Sequence, residues 1–272
     1  MEMRRSQLEN ALGMTLPIEV SKRIEGEPFE ISSLGKSGSS VIIFPNLVLK
    51  ISSFSYDREN ELRVNRILKD KLPIPKILFH IKKGNRIYLL EERIKGIPLS
   101  DDYYMSRPCL LYSLAKEALR MLHQVDVKGL GLASTDDLIL DFGWKACREG
   151  RLDFAKADKS ATEGFDCFED ALSFLEKSRP KGEDVLCHGD LCLPNILVEG
   201  DRISGFVDLG LMGVSNSYHD LAILYRSVRN NFSGVYGKSY PGYQEDWLTG
   251  FIDFEEGREL IRYYLLLDEV LG

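Results

Sequence analysis

The residues with the clearest chemical potential lie in one segment, residues 188–195, and in an Asp-Leu-Gly triplet that begins at Asp208. Asp190 and Asn195 are separated by four residues, and Asp208 precedes a glycine. A carboxylate can align and partly deprotonate an attacking hydroxyl, whereas amide and carboxylate oxygens suit Mg²⁺ held between nucleotide phosphates. These three side chains predict a phosphoryl-transfer site, with Asp190 as catalytic base and Asn195 and Asp208 as metal ligands.

The spacing of this segment matches the catalytic loop of protein kinases, H-R-D-x-x-x-x-N, and the triplet at Asp208 matches their D-F-G. Gly189 takes the place of the arginine. Strand-like runs around a turn at residues 199–201 predict a hairpin that places Asn195 and Asp208 at neighbouring ends. A loop that only connects strands is the alternative, and the fixed spacing argues against it.

An upstream region of β-type texture, residues 29–51, supplies further candidates. Ser37 lies in a turn of small residues, where backbone N–H groups can approach phosphates closely. Taken alone, this segment is more simply a flexible hairpin turn. Lys50 interrupts an apolar strand, and a lysine there needs a partner. The following helical segment carries Glu61, which we expect to pair with Lys50, while Glu59 is the competitor and is expected to be solvated.

The predicted architecture is α+β with two lobes. Five strands and one helix predict a small N-terminal lobe with an antiparallel sheet that binds nucleotide, over residues 1–92. Mainly helical texture from Arg107 onward predicts a larger catalytic and substrate-binding lobe, over residues 93–272. The connector is predicted to run from Glu91 to Gly96 and to meet the edge of the nucleotide base through its backbone, and its candidate contact residues are Glu91, Glu92 and Arg93.

Composition sets limits on partners and compartment. The chain has 272 residues, 44% of them hydrophobic, and a net charge of -7, which argues against nucleic acid and is compatible with a cationic substrate. The polar start of the chain and the short apolar runs predict a cytoplasmic protein without a membrane partner. Five scattered cysteines predict reduced thiols, and a catalytic role for Cys187 or Cys192 beside the loop is disfavoured. Monomer and dimer both remain possible.

Two features stay open at this point. Scattered acids between Leu138 and Arg179 are either solvated faces or the lining of a pocket for a polycation. Asp220, near the start of a predicted helix at residues 218–228, is either an N-terminal helix charge or an acceptor for the catalytic loop.

Together these residues resemble the aminoglycoside phosphotransferases, and most closely the 3'-phosphotransferases. The resemblance is strongest over residues 184–230 and continues at 71–78, at 122–126 and at the terminal YYLLLDEVLG, while residues 132–170 match poorly. It implies a bilobal protein-kinase-like fold that moves the γ-phosphate of ATP or GTP, with Mg²⁺, to a hydroxyl of a cationic aminoglycoside.

Further roles follow from the resemblance alone. Lys50 would bind the α- and β-phosphates with the support of Glu61, and Ser37 and its neighbours would cover the phosphates. Four acids would contact substrate ammonium groups: Asp268, Glu269, and as substitutes for acids expected at Ala157 and Ser160, Asp158 and Glu163. This chain also has Val48 where close relatives carry an aromatic residue that stacks on adenine, and Leu211 where they carry arginine.

The leading hypothesis is therefore an aminoglycoside 3'-phosphotransferase-type kinase that confers antibiotic resistance. The first alternative is a kinase of the same fold for another small hydroxylated substrate, such as a macrolide, a sugar or an amino alcohol. The second is a pseudokinase that binds nucleotide or a partner without turnover. A serine/threonine protein kinase is disfavoured because no A-P-E motif closely follows Asp208.

Overall fold

The computed structural model describes residues 2–32, 40–53, 55–182, 184–249 and 254–271. Its first lobe is built on a five-stranded antiparallel sheet, as the sequence predicts. The strands are β1 (Glu30–Ser32), β2 (Ser40–Ile43), β3 (Leu47–Ser53), β4 (Ile77–Lys83) and β5 (Arg86–Glu92). They lie side by side in the order β1-β2-β3-β5-β4.

Two N-terminal helices, α1 (Glu2–Leu12) and α2 (Ile18–Ser21), pack against this sheet. Leu8 and Val20 join Ile42 and Leu49 in one buried apolar cluster. The sequence pattern does not predict these helices, because the first is mostly polar and the second is only four residues long.

The helix between β3 and β4, α3 (Tyr56–Leu68), links the two lobes. Val64 and Leu68 are fully buried and belong to a cluster that continues into the second lobe through Leu191 and Phe206. This packing fixes α3 against the segment that carries the predicted catalytic residues.

The second lobe is mainly helical. Its helices are α4 (Asp102–Met105), α5 (Pro108–His123), α6 (Thr135–Arg148), α7 (Phe168–Lys177), α8 (Tyr218–Ser233) and α9 (Phe254–Glu269). α5 is the predicted core helix: it begins at a proline, which fits the first turn, and its Leu111, Ala118 and Leu122 are fully buried.

Helices α6 and α7 cover the two ends of the stretch from Leu138 to Arg179, whose structure the sequence pattern did not fully predict. The side-chain hydroxyl of Ser134 caps α6 by accepting the backbone N–H of Asp137 at 3.2 Å. Asp136, in the first turn, is buried and contacts His219 at 3.2 Å. Such a pairing across 83 positions leaves no local trace in the sequence.

Two small sheets position the loops of the site. They are formed by β6 (Ile97–Pro98), β8 (Ile196–Glu199) and β9 (Arg202–Phe206), and by β7 (Asp184–Cys187) with β10 (Gly213–Asn216). The pairing of Ile196 with Phe206 brings the start of β8 to the end of β9, as the predicted hairpin requires.

The α+β architecture with a sheet lobe and a mainly helical lobe is confirmed. All five cysteines are free thiols. Within the described ranges, no helix combines the length and the apolar character that crossing a bilayer requires.

Candidate active site

The catalytic segment, residues 188–195, runs from β7 to β8, and its conformation requires glycine at one position. Gly189 has a φ of +84°, and a Cβ added there would lie 2.5 Å from the carbonyl oxygen of Leu211. Both the left-handed backbone and the close approach exclude a larger side chain. This explains why glycine replaces the arginine of the kinase motif in this chain.

Asp220 of α8 holds the beginning of this segment. Its fully buried carboxylate accepts the backbone N–H of His188 at 2.7 Å and that of Gly189 at 3.0 Å. Of the two roles left open by the sequence, the structure supports the acceptor for the catalytic loop.

His188 braces the loop from the other side. Its Nε2 lies 2.9 Å from the carbonyl oxygen of Val207, which is a donor contact because a carbonyl can only accept. Its Nδ1 is then the acceptor for the backbone N–H of Asp190, at 3.3 Å. The imidazole therefore ties the loop to the end of β9.

The Asp190 carboxylate is oriented by Asn195. The side-chain amide nitrogen of Asn195 donates to Oδ2 of Asp190 at 3.0 Å and to its carbonyl oxygen at 2.9 Å. Burial, and then the negative charge of Asp268, raise the pKa of Asp190. A carboxyl whose pKa is raised is a better proton acceptor once ionised, as a general base requires.

Cys192 is not a plausible nucleophile. Burial and the neighbouring Asp190 carboxylate raise the pKa of its thiol, so that the thiolate is strongly disfavoured.

Asp208 follows β9 in a left-handed conformation, with φ 61° and ψ 58°. Among the described residues it is the only non-glycine with a positive φ. Such backbone strain is concentrated at functional sites. Partial desolvation by the surrounding protein opposes ionisation here, but the charges of Lys50 and Arg58 outweigh it and lower the pKa of Asp208. The carboxylate is therefore anionic, and its side chain is 57% exposed.

The donor set fits a hard cation. The amide nitrogen of Asn195 is engaged by Asp190, which leaves its Oδ1 free to act as a ligand. Together with the anionic Asp208 it offers the oxygen ligands that Mg²⁺ prefers.

Lys50 of β3 is buried, with 6% of its surface exposed, and lies among three carboxylates. Its Nζ is 2.8 Å from Glu61, 3.2 Å from Glu91 and 3.4 Å from Asp208. Burial alone lowers the pKa of Lys50, but these three charges outweigh it, so the pKa is raised. The predicted ion pair with Glu61 is present, and Glu59 is exposed as expected.

Asn60, beside Glu61 on α3, makes a contact that sequence reasoning missed. Its buried side-chain amide donates to the carbonyl oxygens of Gly210 and Met212, both at 2.9 Å. A Cβ added at Gly210 would lie 3.1 Å from the Cβ of Asp57, so the glycine allows α3 to approach closely. The only feature of the sequence that could have indicated this contact is the position of the polar Asn60 next to Glu61, the partner of Lys50.

The predicted connector requires a correction. Glu91 and Glu92 belong to β5, so the connector begins at Arg93. Glu91 is paired with Val48 on one side and Ile77 on the other, and its side chain faces Lys50. The strand prediction stopped too early because two glutamates in succession do not look like a buried strand.

The backbone N–H groups of Glu92 and Arg93 are also engaged. They donate to the carbonyl oxygens of Lys76 and Asn46, both at 2.9 Å. The next amide, that of Ile94, has no partner within the described part of the chain. Ile94, which lies in the predicted connector but was not among its candidate contact residues, is therefore the better candidate to meet a nucleotide base.

Three of the four acids that were predicted to bind the acceptor lie close together in the structure. Arg226 of α8 contacts the carboxylates of Asp268, through Nη2, and of Glu269, through Nη1 at 2.8 Å. Glu269 also accepts the backbone N–H of Asp158 at 2.9 Å. Asp158 in turn accepts the hydroxyl of Ser160 at 2.7 Å. Three of the four predicted acids thus lie in one region, but they share it with an arginine that the sequence pattern did not reveal.

The fourth acid, Glu163, is not part of this cluster. Its side chain is exposed, and its carbonyl oxygen accepts a hydrogen bond from Arg262 of α9. Within the described part of the chain, the Glu163 carboxylate forms no hydrogen bond or ion pair with Asp268 or Glu269. Ser37, predicted to cover the phosphates, lies outside the described residues.

Asp220→Ala is expected to lower the free energy of unfolding by about 3 kcal/mol, because it leaves two buried backbone N–H groups without an acceptor. Urea unfolding measures the change, and turnover should fall as the loop loses its support. Asp201→Ala, in the exposed turn after β8, is the matched control. Equal stability of the two variants would contradict this account of Asp220.

Comparisons with known proteins show which proteins this chain is similar to. Residues 45–260 match the phosphotransferase enzyme family. The chain is 33% identical over 204 residues to an aminoglycoside 3'-phosphotransferase of Niallia circulans, with 74% of each chain covered. It is 29% identical over 238 residues to an aminoglycoside 3'-phosphotransferase of Enterococcus faecalis, covering 83% of this chain and 85% of that one.

Solved structures show the same fold. An aminoglycoside phosphotransferase of Streptomyces rimosus superposes with a TM-score of 0.72 at 20% identity, covering 93% of this chain and 96% of the other. A type VIII aminoglycoside 3'-phosphotransferase gives 0.71 at 22% identity with the same coverage.

Proposed function

The chain belongs to the aminoglycoside phosphotransferase family, and from this premise we propose that it transfers the γ-phosphate of ATP or GTP to a hydroxyl of an aminoglycoside antibiotic. The observation that carries the proposal is that Asn195, at the start of β8, contacts Asp190, while Asp208, after the paired strand β9, contacts Lys50 in the middle of β3. Its relatives include aminoglycoside 3'-phosphotransferases, and such activity confers resistance to the antibiotic.

Catalysis in this proposal is mainly positioning. Asp190 aligns the acceptor hydroxyl and accepts its proton, while Asn195 keeps the carboxylate in place. Lys50 donates to the α- and β-phosphates, and Glu61, itself bound by Arg58 at 2.6 Å, keeps the lysine oriented. Asn195 and Asp208 would hold Mg²⁺, which neutralises charge on the triphosphate when bound.

The nucleotide would bind on the face of the five-stranded sheet that carries Lys50. The free amide of Ile94 would donate to the base, and the turn that contains Ser37 would cover the phosphates. Val48 of β3 lies directly opposite Glu91. It offers an aliphatic surface where the family resemblance implies an aromatic ring. We propose that the boundary between the lobes lies between residues 92 and 93. We also propose a cytoplasmic location, where the nucleotide and Mg²⁺ that the reaction needs are available.

The acceptor would bind beside Asp190. Asp268 and Glu269 supply negative charge for ammonium groups, although Arg226 already uses part of it. Charge-assisted hydrogen bonds to these acids favour a polyamine over a neutral sugar. The partial neutralisation by Arg226 is the one observation in favour of the alternative, a kinase for another small hydroxylated substrate.

An acceptor screen tests the proposal. The protein is incubated with Mg²⁺ and either ATP or GTP, together with neamine-type and kanamycin-type aminoglycosides, a macrolide, a neutral sugar and an amino alcohol. We expect phosphate transfer to the aminoglycosides only. Transfer to one of the other acceptors alone would favour the alternative, and no turnover with any acceptor would favour a pseudokinase.

A further inference from the structure

Glu91 is a third carboxylate on the lysine of the site, and neither its position nor its contact follows from the catalytic motif. Because cross-strand neighbours share a face of the sheet, the pairs Val48–Glu91 and Lys50–Leu89 place Glu91 on the same face as Lys50. Glu91 is only 3% exposed, and its Oε1 lies 3.2 Å from the lysine Nζ.

The three carboxylates around Lys50 differ in what else binds them. Glu61 is shared with Arg58 at 2.6 Å. The side chain of Asp208 is exposed, so its carboxylate is accessible to a bound cation. Lys50 is the only cation in contact with Glu91 in the part of the chain that the structure describes.

A lysine ammonium has three N–H donors, and here three carboxylates surround it within 3.4 Å. The Glu61 contact is a hydrogen bond, and Glu91 and Asp208 lie at ion-pair distance, so a phosphate oxygen must compete with these carboxylates for the ammonium group. The Glu61 contact is the shortest and is reinforced by Arg58, and Asp208 is the proposed metal ligand. When Asp208 turns to a metal ion, Glu91 is the remaining carboxylate that a phosphate oxygen has to displace from Lys50.

We propose that Glu91 is an internal competitor of the nucleotide: its carboxylate occupies Lys50 in the free protein, gives up that ammonium to the phosphates on binding, and so weakens nucleotide affinity. The inference rests on the proposed function, because it assumes that Lys50 binds phosphate. It assigns to Glu91 a role in setting nucleotide affinity, through Lys50 rather than through contact with the nucleotide.

A pH dependence follows from the same geometry. Burial raises the pKa of Glu91 to about 7, although the charge of Lys50 opposes the rise and that of Glu61 adds to it. Lys50 on β3, Glu61 on α3 and Asp208 after β9 are the charged groups that act on it. Phosphates add negative charge and draw Lys50 away, which raises this pKa further. Affinity is therefore expected to fall as pH rises through about 7, as Glu91 in the free protein loses its proton.

The test compares Glu91→Gln with the wild-type protein by equilibrium binding of a fluorescent ATP analogue with Mg²⁺. Gln has the same shape without the charge, so we expect Kd to fall by about tenfold near pH 8.5, and much less near pH 6, where the wild-type carboxyl is protonated. Glu59→Gln removes an equal charge from an exposed position of α3 and should leave Kd unchanged. Glu91→Met serves in the same assay if the Gln variant does not fold.

A Lys50→Met background distinguishes competition from a general effect on the lobe. If Glu91 acts through Lys50, adding Glu91→Gln to Lys50→Met gives no gain in affinity. Unchanged or weaker binding by Glu91→Gln, or a gain that persists without Lys50, would overturn the inference while leaving the proposed function intact. Absence of nucleotide binding by the wild-type protein and by both Glu91 variants would instead overturn the proposed function, and this inference with it.

Discussion

Asp190→Asn is expected to lower turnover by about a thousandfold while Kd for the nucleotide with Mg²⁺ stays near the wild-type value. Asn keeps the shape of the side chain but cannot accept the proton of the acceptor hydroxyl, and general base catalysis contributes on this scale. The nucleotide contacts assigned to Lys50, Asn195 and Asp208 are unchanged by the substitution.

Steady-state phosphate transfer and equilibrium nucleotide binding are the two measurements for Asp190→Asn. Asp184→Asn, exposed on β7 just before the catalytic segment, removes the same charge and should keep full activity. Turnover of Asp190→Asn within a few fold of wild type would show that Asp190 is not the base.

Asp208→Asn is expected to have the second large effect, and its signature is different. Asparagine tolerates the left-handed backbone that Asp208 adopts, so the fold should be retained. The loss of an anionic oxygen ligand should raise the Mg²⁺ concentration needed for half-maximal turnover by about tenfold or more and lower turnover by about a thousandfold.

A titration of Mg²⁺ at fixed nucleotide measures this shift, with Asp201→Asn in the neighbouring hairpin turn as the control. Asp190→Asn should leave the Mg²⁺ midpoint in place, which separates the base from the metal ligand. A wild-type Mg²⁺ midpoint for Asp208→Asn would exclude Asp208 as the ligand.

The local parts of the site could be predicted because their information is local. The Asp190–Asn195 spacing and the hairpin between β8 and β9 depend on residues within about twenty positions of one another, and the structure contains that hairpin. The Lys50–Glu61 pair spans eleven positions and was predictable from a charge in an apolar strand.

What the sequence could not supply are contacts between distant positions. Asn60 reaches the carbonyl of Gly210 across 150 positions, and Arg226 reaches Glu269 across 43. Glu91 looked like a connector residue because an acid is expected at the surface. The register of β3 against β5 shows that Glu91 lies on the same face of the sheet as Lys50, where it is buried and contacts the lysine.

The acceptor side was the least predictable for the same reason. The acids that bear on it come from α9 and from the loop before α7, and their effective charge depends on Arg226 of α8. A sequence pattern can propose Asp268 and Glu269 as ammonium ligands, but it cannot show that an arginine already binds both.

The position of the transferred phosphate tests the central claim most directly. The protein is given Mg²⁺, ATP and two aminoglycosides that differ only in the 3'-hydroxyl, and the products are examined by ³¹P–¹H correlation NMR. Because the chain is similar to aminoglycoside 3'-phosphotransferases, the account predicts one product, phosphorylated at the 3'-oxygen, and no transfer to the 3'-deoxy compound. Equal phosphorylation of both compounds, or of neither, would contradict it.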